Sequence, residues 1–112
     1  MSEHHLGKEH SGSVVKARPG DTIVVLLDEN PTTGYRWHVT GSGGSVLEEP
    51  ETGFEPAAGG AIGSGGRRRL AFRVTGPGRA EPELVLRRAE DRPDAAIERW
   101  HAVVEADQRP ID

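Results

Sequence analysis

The chain has 112 residues, 34% of them hydrophobic, and a formal net charge of −4. That length fits one domain with one modest core, and the acidic balance excludes the basic footprint of a nucleic-acid binder. There is no cysteine, which excludes disulfides, thiol nucleophiles and thiolate metal sites, so the fold rests on packing alone.

Residues 1–12 are polar and charged and are expected to form a flexible N-terminal tail. They have no apolar stretch of the signal-peptide kind, and no run in the chain approaches the ~20 apolar residues that cross a bilayer. A cytoplasmic chain with no membrane contact is therefore expected, or a periplasmic or secreted one if a leader has been removed. His4, His5 and His10 lie in this tail and lack a ligand spacing, so neither a metal nor a cofactor is expected.

The domain proper is expected over 13–107, with 108–112 as a C-terminal tail. Ser13 to Arg18 reads as a weak strand, and Pro19-Gly20-Asp21 as a turn. Thr22 to Leu27 is β-branched and nearly all apolar, which predicts a strand covered on both sides or at the centre of a sandwich. A polar, turn-forming run follows from Glu29 to Gly34. Tyr35, Trp37 and Val39 then alternate with Arg36, His38 and Thr40, the pattern of a half-buried strand.

Gly41-Ser42-Gly43-Gly44 ends that strand. Ser45 to Glu49 is a short edge candidate. Residues 50–66 are rich in Gly, Pro and Ala, with Phe54 and Ile62 as anchors. Leu70, Phe72 and Val74 point inward from the next strand. Its neighbours Arg67, Arg68 and Arg69 read as a solvated face. Glu83 to Arg88 supplies Leu84 and Leu86. After a polar loop, Ile97 to Glu105 closes the domain with Trp100, Ala102 and Val104 on one face; Trp37 and Trp100 both read as core. About seven short strands with turns between them and no helix predict an all-β sandwich or barrel.

The run Asn30-Pro31-Thr32-Thr33-Gly34-Tyr35 is more specific than an ordinary hairpin. Pro31 fixes φ and removes a donor. It biases Asn30 to extended geometry, and the Asn30 side chain is suited to bonding amides within the turn. Thr32 and Thr33 are stiff at χ1, so they lose little entropy on docking. With Trp37 two residues beyond Tyr35, and Gly63-Ser64-Gly65-Gly66 before a later strand, the pattern resembles the chagasin-type inhibitors of papain-like cysteine peptidases. The family's third motif, Arg-Pro-Trp, aligns with Arg88-Ala89-Glu90. The arginine is kept, and the proline and tryptophan are replaced.

The resemblance implies an immunoglobulin-like β-sandwich whose three loops at one end plug the peptidase cleft without being cleaved. It implies a partner, a papain-like cysteine peptidase, bound by a monomer that is not itself an enzyme. The implied contacts are Asn30 to Tyr35, Gly63 to Gly66, and Arg88, Ala89 and Glu90. The alternative is the same sandwich as a binding module in which inhibition is weakened or lost, because an interface aromatic often contributes ≥2 kcal/mol. No nucleophile elbow or metalloprotease motif suggests catalysis.

Overall fold

The computed structural model describes residues 2–41, 44–56 and 65–107. The strands are β1 (Glu3–Leu6), β2 (Val14–Ala17), β3 (Thr22–Glu29), β4 (Tyr35–Gly41), β5 (Glu51–Pro56), β6 (Gly66–Arg73), β7 (Gly78–Ala80), β8 (Glu83–Arg88), β9 (Glu98–His101) and β10 (Val103–Ala106). They form a four-stranded sheet in the order β1-β3-β6-β5 and two three-stranded sheets, β4-β8-β9 and β2-β10-β7. All three sheets contribute to one apolar core. Ile23, Val25, Leu27, Leu70 and Phe72 come from the first, Trp37, Leu84, Leu86 and Trp100 from the second, and Val15, Ala80 and Val104 from the third. The all-β sandwich is as expected, and both tryptophans are in its core.

The strand inventory departs from the expectation of about seven strands, which in an immunoglobulin-like sandwich are antiparallel. The described residues form ten, and two of their pairings are parallel: β1 with β3, and β10 with β2. Residues expected as a flexible tail supply β1 and a 3-10 turn at Lys8–His10. This segment is tied down because Leu6 is buried and Gly7 O accepts a hydrogen bond from Trp100 Nε1 at 3.0 Å. Its pairing also explains β3. Lying between β1 and β6, β3 is an interior strand, so its apolar run is nearly unbroken.

Two further expectations are corrected, and a segment given no element from the sequence gains one. Residues 51–56 form strand β5, paired along its length with β6. Of the edge candidate 45–49, only Leu47 makes a bridge, to Val74. The single closing strand is two: β9 pairs with β8 and β10 with β2 and β7, with Ala102 marking the change of sheet. Ile62 and the C-terminal tail 108–112 lie outside the described residues.

At the end of the sandwich away from the Asn-Pro-Thr-Thr-Gly loop, Asp21 fastens the N-terminal strand. Its carboxylate accepts from the Ser2 amide at 3.0 Å and the Arg18 amide at 3.1 Å, and pairs with His4 Nε2 at 2.9 Å. The His4 hydrogen bond, helped by the two amides and opposed by burial, holds the carboxyl below its usual range. A depressed carboxylate stabilises the fold above its ordinary value, and that contribution is lost as pH falls through the folded-state value. Asp21→Asn is therefore expected to destabilise the protein at pH 7 and to flatten its acid-induced loss of stability below about pH 4. Urea melts of both forms at neutral and acid pH check this. An equal destabilisation at every pH would contradict it.

Candidate functional site

Strand register places the site. Glu29, the last residue of β3, pairs with Gly66, the first of β6. Tyr35, the first of β4, pairs with Arg88, the last of β8. The connections after β3, before β6 and after β8 therefore emerge side by side at one end of the sandwich. Asn30–Gly34 is central, Gly65-Gly66 lies on one flank, and Arg88 to Asp91 lies on the other.

The central connection is a 3-10 turn over Pro31–Thr33. Asn30 is extended, as a residue before proline must be, and its Oδ1 accepts from the Thr32 amide at 3.1 Å and the Thr32 hydroxyl at 2.7 Å. Pro31 occupies the first helical position, where a missing amide hydrogen is harmless. The Thr33 hydroxyl donates to Asn30 O at 2.8 Å and accepts from the Tyr35 amide at 3.2 Å. Gly34 closes the turn at φ +81°, a left-handed geometry that a β-carbon would strain. Both threonine hydroxyls are thus used inside the turn. Pro31, Thr32, Thr33 and Gly34 are all exposed, so the turn is rigid and solvent-facing at once.

Beneath it lies a residue the sequence placed in the polar loop. The Glu29 side chain has 0% exposure. One carboxylate oxygen accepts from the Trp37 amide at 2.9 Å, and the other from Arg68 Nε at 3.1 Å and Nη2 at 2.6 Å. Trp37 Nε1 in turn donates to Asp28 O at 2.9 Å. Among the described strands β4 lies at an edge and pairs only with β8, so an amide on its open side needs an acceptor from elsewhere. Glu29 supplies it across the gap between two sheets. Arg68 also lies over the Phe54 ring, 5.5 Å from its centre. The expectation that Arg67, Arg68 and Arg69 form a solvated face is corrected at Arg68, whose side chain is 19% exposed. The missed signal was parity: Ile23, Val25, Leu27 and Glu29 share one face of β3, and the first three are core.

On one flank, Gly65 has φ +75°, and a β-carbon there would stand 3.4 Å from Asn30 Cβ. On the other, the Arg88 guanidinium lies 5.1 Å from the centre of the Tyr35 ring and 3.3 Å from Asp91 Oδ2. Arg87 Nη1 donates to the Arg88 and Asp91 carbonyls at 3.2 and 3.1 Å, drawing that loop into a turn. Burial, with the Arg87 charge nearby, holds His38 below its ordinary value. Ala89 and Glu90 are exposed beside Arg88. Of the residues singled out in the sequence, Asn30 to Tyr35, Gly65, Gly66, Arg88, Ala89 and Glu90 thus share one end. Gly63 and Ser64 lie outside the described residues. Sequence reasoning missed Glu29, Arg68 and Arg87. Among the described residues no group of side chains could hold a metal ion.

The family described as Chagasin family peptidase inhibitor I42 matches residues 16–104. Chagasin of Trypanosoma cruzi is 25% identical over 107 residues, covering 92% of this chain and 97% of that protein. Among solved structures, the cysteine protease inhibitor EhICP2 of Entamoeba histolytica superposes with a TM-score of 0.80 at 19% identity, over 95% of this chain and 96% of that one. Amebosin superposes with a TM-score of 0.75 at 24% identity, over 92% and 97%.

Breaking the Glu29–Arg68 pair leaves a charge in the sandwich without its partner, a loss worth about 3–5 kcal/mol. Glu29→Ala is expected to lower stability by that order, and removing both charges in Glu29→Gln/Arg68→Met is expected to cost less. Chemical denaturation of the three proteins measures this. A Glu29→Ala loss under about 1 kcal/mol, the range of an exposed pair, would contradict the buried clamp.

Proposed function

This chain belongs to the chagasin family of peptidase inhibitors, and we propose that it inhibits papain-like cysteine peptidases by seating the Asn30–Gly34 turn in the active-site cleft. Gly65-Gly66 and Arg88 to Glu90 flank the turn against the cleft walls. The observation that carries this is the geometry of the turn: exposed along its tip, bonded internally, and fixed at both ends by strand pairing and the Glu29 clamp.

The same geometry accounts for resistance to cleavage. A peptidase aligns its substrate as an extended strand along the cleft. Pro31–Thr33 is a 3-10 turn whose backbone is already hydrogen-bonded, so presenting it as substrate requires breaking it. Docking orders little, because the hydroxyls and backbone are fixed before contact. Family membership makes the chain an inhibitor rather than an enzyme.

The Arg88 flank is tunable. Asp91 N donates to Arg88 O at 3.0 Å, so Ala89 is the second residue of a four-residue turn, where proline is favoured. Glu90 is the next residue and points no buried group into the core.

Titration of papain activity tests the proposal. The parent is expected to inhibit stoichiometrically or at submicromolar concentration. Thr32→Ala/Thr33→Ala is expected to inhibit roughly thirtyfold or more weakly. A folded parent inactive at tens of micromolar would overturn the proposal. In the same assay Ala89→Pro/Glu90→Trp is expected to inhibit more tightly, and no gain would mean that this flank stays clear of the enzyme.

A further inference from the structure

The end that carries the Asn30–Gly34 turn also holds a groove of about 820 Å³. Asn30, Thr33 and Tyr35 line it on the loop side, and Leu86 and Ile97 line it from β8 and the segment before β9. Ile97 is 58% exposed, the most exposed of the three large hydrophobics in that state among the described residues. Val14 begins β2, and Val39 lies near the other end of β4. Ile97 is the one on this groove.

Its exposure does not come from a loose backbone. The Ile97 amide donates to Leu86 O at 2.9 Å, and the preceding 3-10 turn, Pro93–Ala95, is closed by Ala95 N to Arg92 O at 2.9 Å. The fold therefore holds an apolar side chain in water at a fixed place. Surface of that kind is released from water only when something covers it. Because Asn30 and Thr33 belong to both the turn and the groove, whatever surrounds the turn also passes over the groove.

We propose that Ile97 is a further contact with the peptidase, and that the groove beside it receives an apolar side chain from the rim of the target's cleft. This rests on the loop-insertion reading above. The occupant is apolar because Tyr35, Leu86 and Ile97 form one wall of the groove, while Asp28, Glu55 and Arg67, which also border it, leave charges of both signs at its edge and favour neither. Ile97 then sets which peptidases bind tightly, while the turn blocks the cleft in all of them.

The test titrates papain with the parent, Ile97→Ala, Ile97→Asp and Thr32→Ala/Thr33→Ala side by side. Ile97→Ala is expected to weaken inhibition roughly tenfold, and Ile97→Asp more than that, with melting temperatures unchanged because the residue is exposed. If Ile97→Asp melts early, Ile97→Ala and Ile97→Ser carry the comparison. Ile97 variants as tight as the parent, alongside a threonine variant that has lost inhibition, would overturn the groove contact and leave the loop reading standing. A parent that does not inhibit at all would sink both.

Discussion

A carboxylate with no exposed surface sits where the chain leaves one sheet for another, and the functional end depends on it. β3 and β4 are joined by only a few residues, yet they belong to different sheets and do not pair. Glu29 closes that gap by bonding the Trp37 amide on β4 and the Arg68 guanidinium on β6. A buried carboxylate is tolerable only when its acceptor sites are filled and its charge is met. Arg68 meets the charge, and Phe54 on β5 covers Arg68. One side chain thereby fixes the relative positions of β3, β4 and β6.

With its ends fixed, the turn between them needs little further ordering. Asn30, Thr32 and Thr33 bond among themselves, and Gly34 makes the left-handed exit. Register brings the flanking connections alongside the turn. Affinity in such an interface depends less on area than on how much freedom remains to be lost. A rigid sandwich displaying short, internally bonded connections suits an inhibitor that must enter a cleft and stay uncut.

Much of this was legible before the structure. The alternation of Leu70, Phe72 and Val74 and the near-continuous apolar run of β3 announced strands, and both tryptophans announced core. The turn's chemistry followed from Asn-Pro-Thr-Thr-Gly itself. What stayed hidden depends on distant partners. β5 reads as Glu-Thr-Gly-Phe-Glu-Pro and has no apolar face, because it is an edge strand held by pairing with β6. β1 is polar for the same reason, at the opposite edge of that sheet. The division of the last strand at Ala102 reflects which sheet each half joins, which local pattern does not encode. Glu29 looked like loop because a charge next to a turn is ordinarily solvated. Its burial is sensible only once Arg68, 39 residues later, is seen beside it.

The most direct test is a residue-by-residue NMR titration of the isotope-labelled chain with papain. Shift changes and line broadening are expected at the amides of Asn30, Thr32 to Tyr35, Gly65, Gly66 and Arg88 to Asp91, with the Ser2–His4–Asp21 corner unaffected. Perturbation centred on that opposite corner, or none at these loops on saturation with enzyme, would contradict the account.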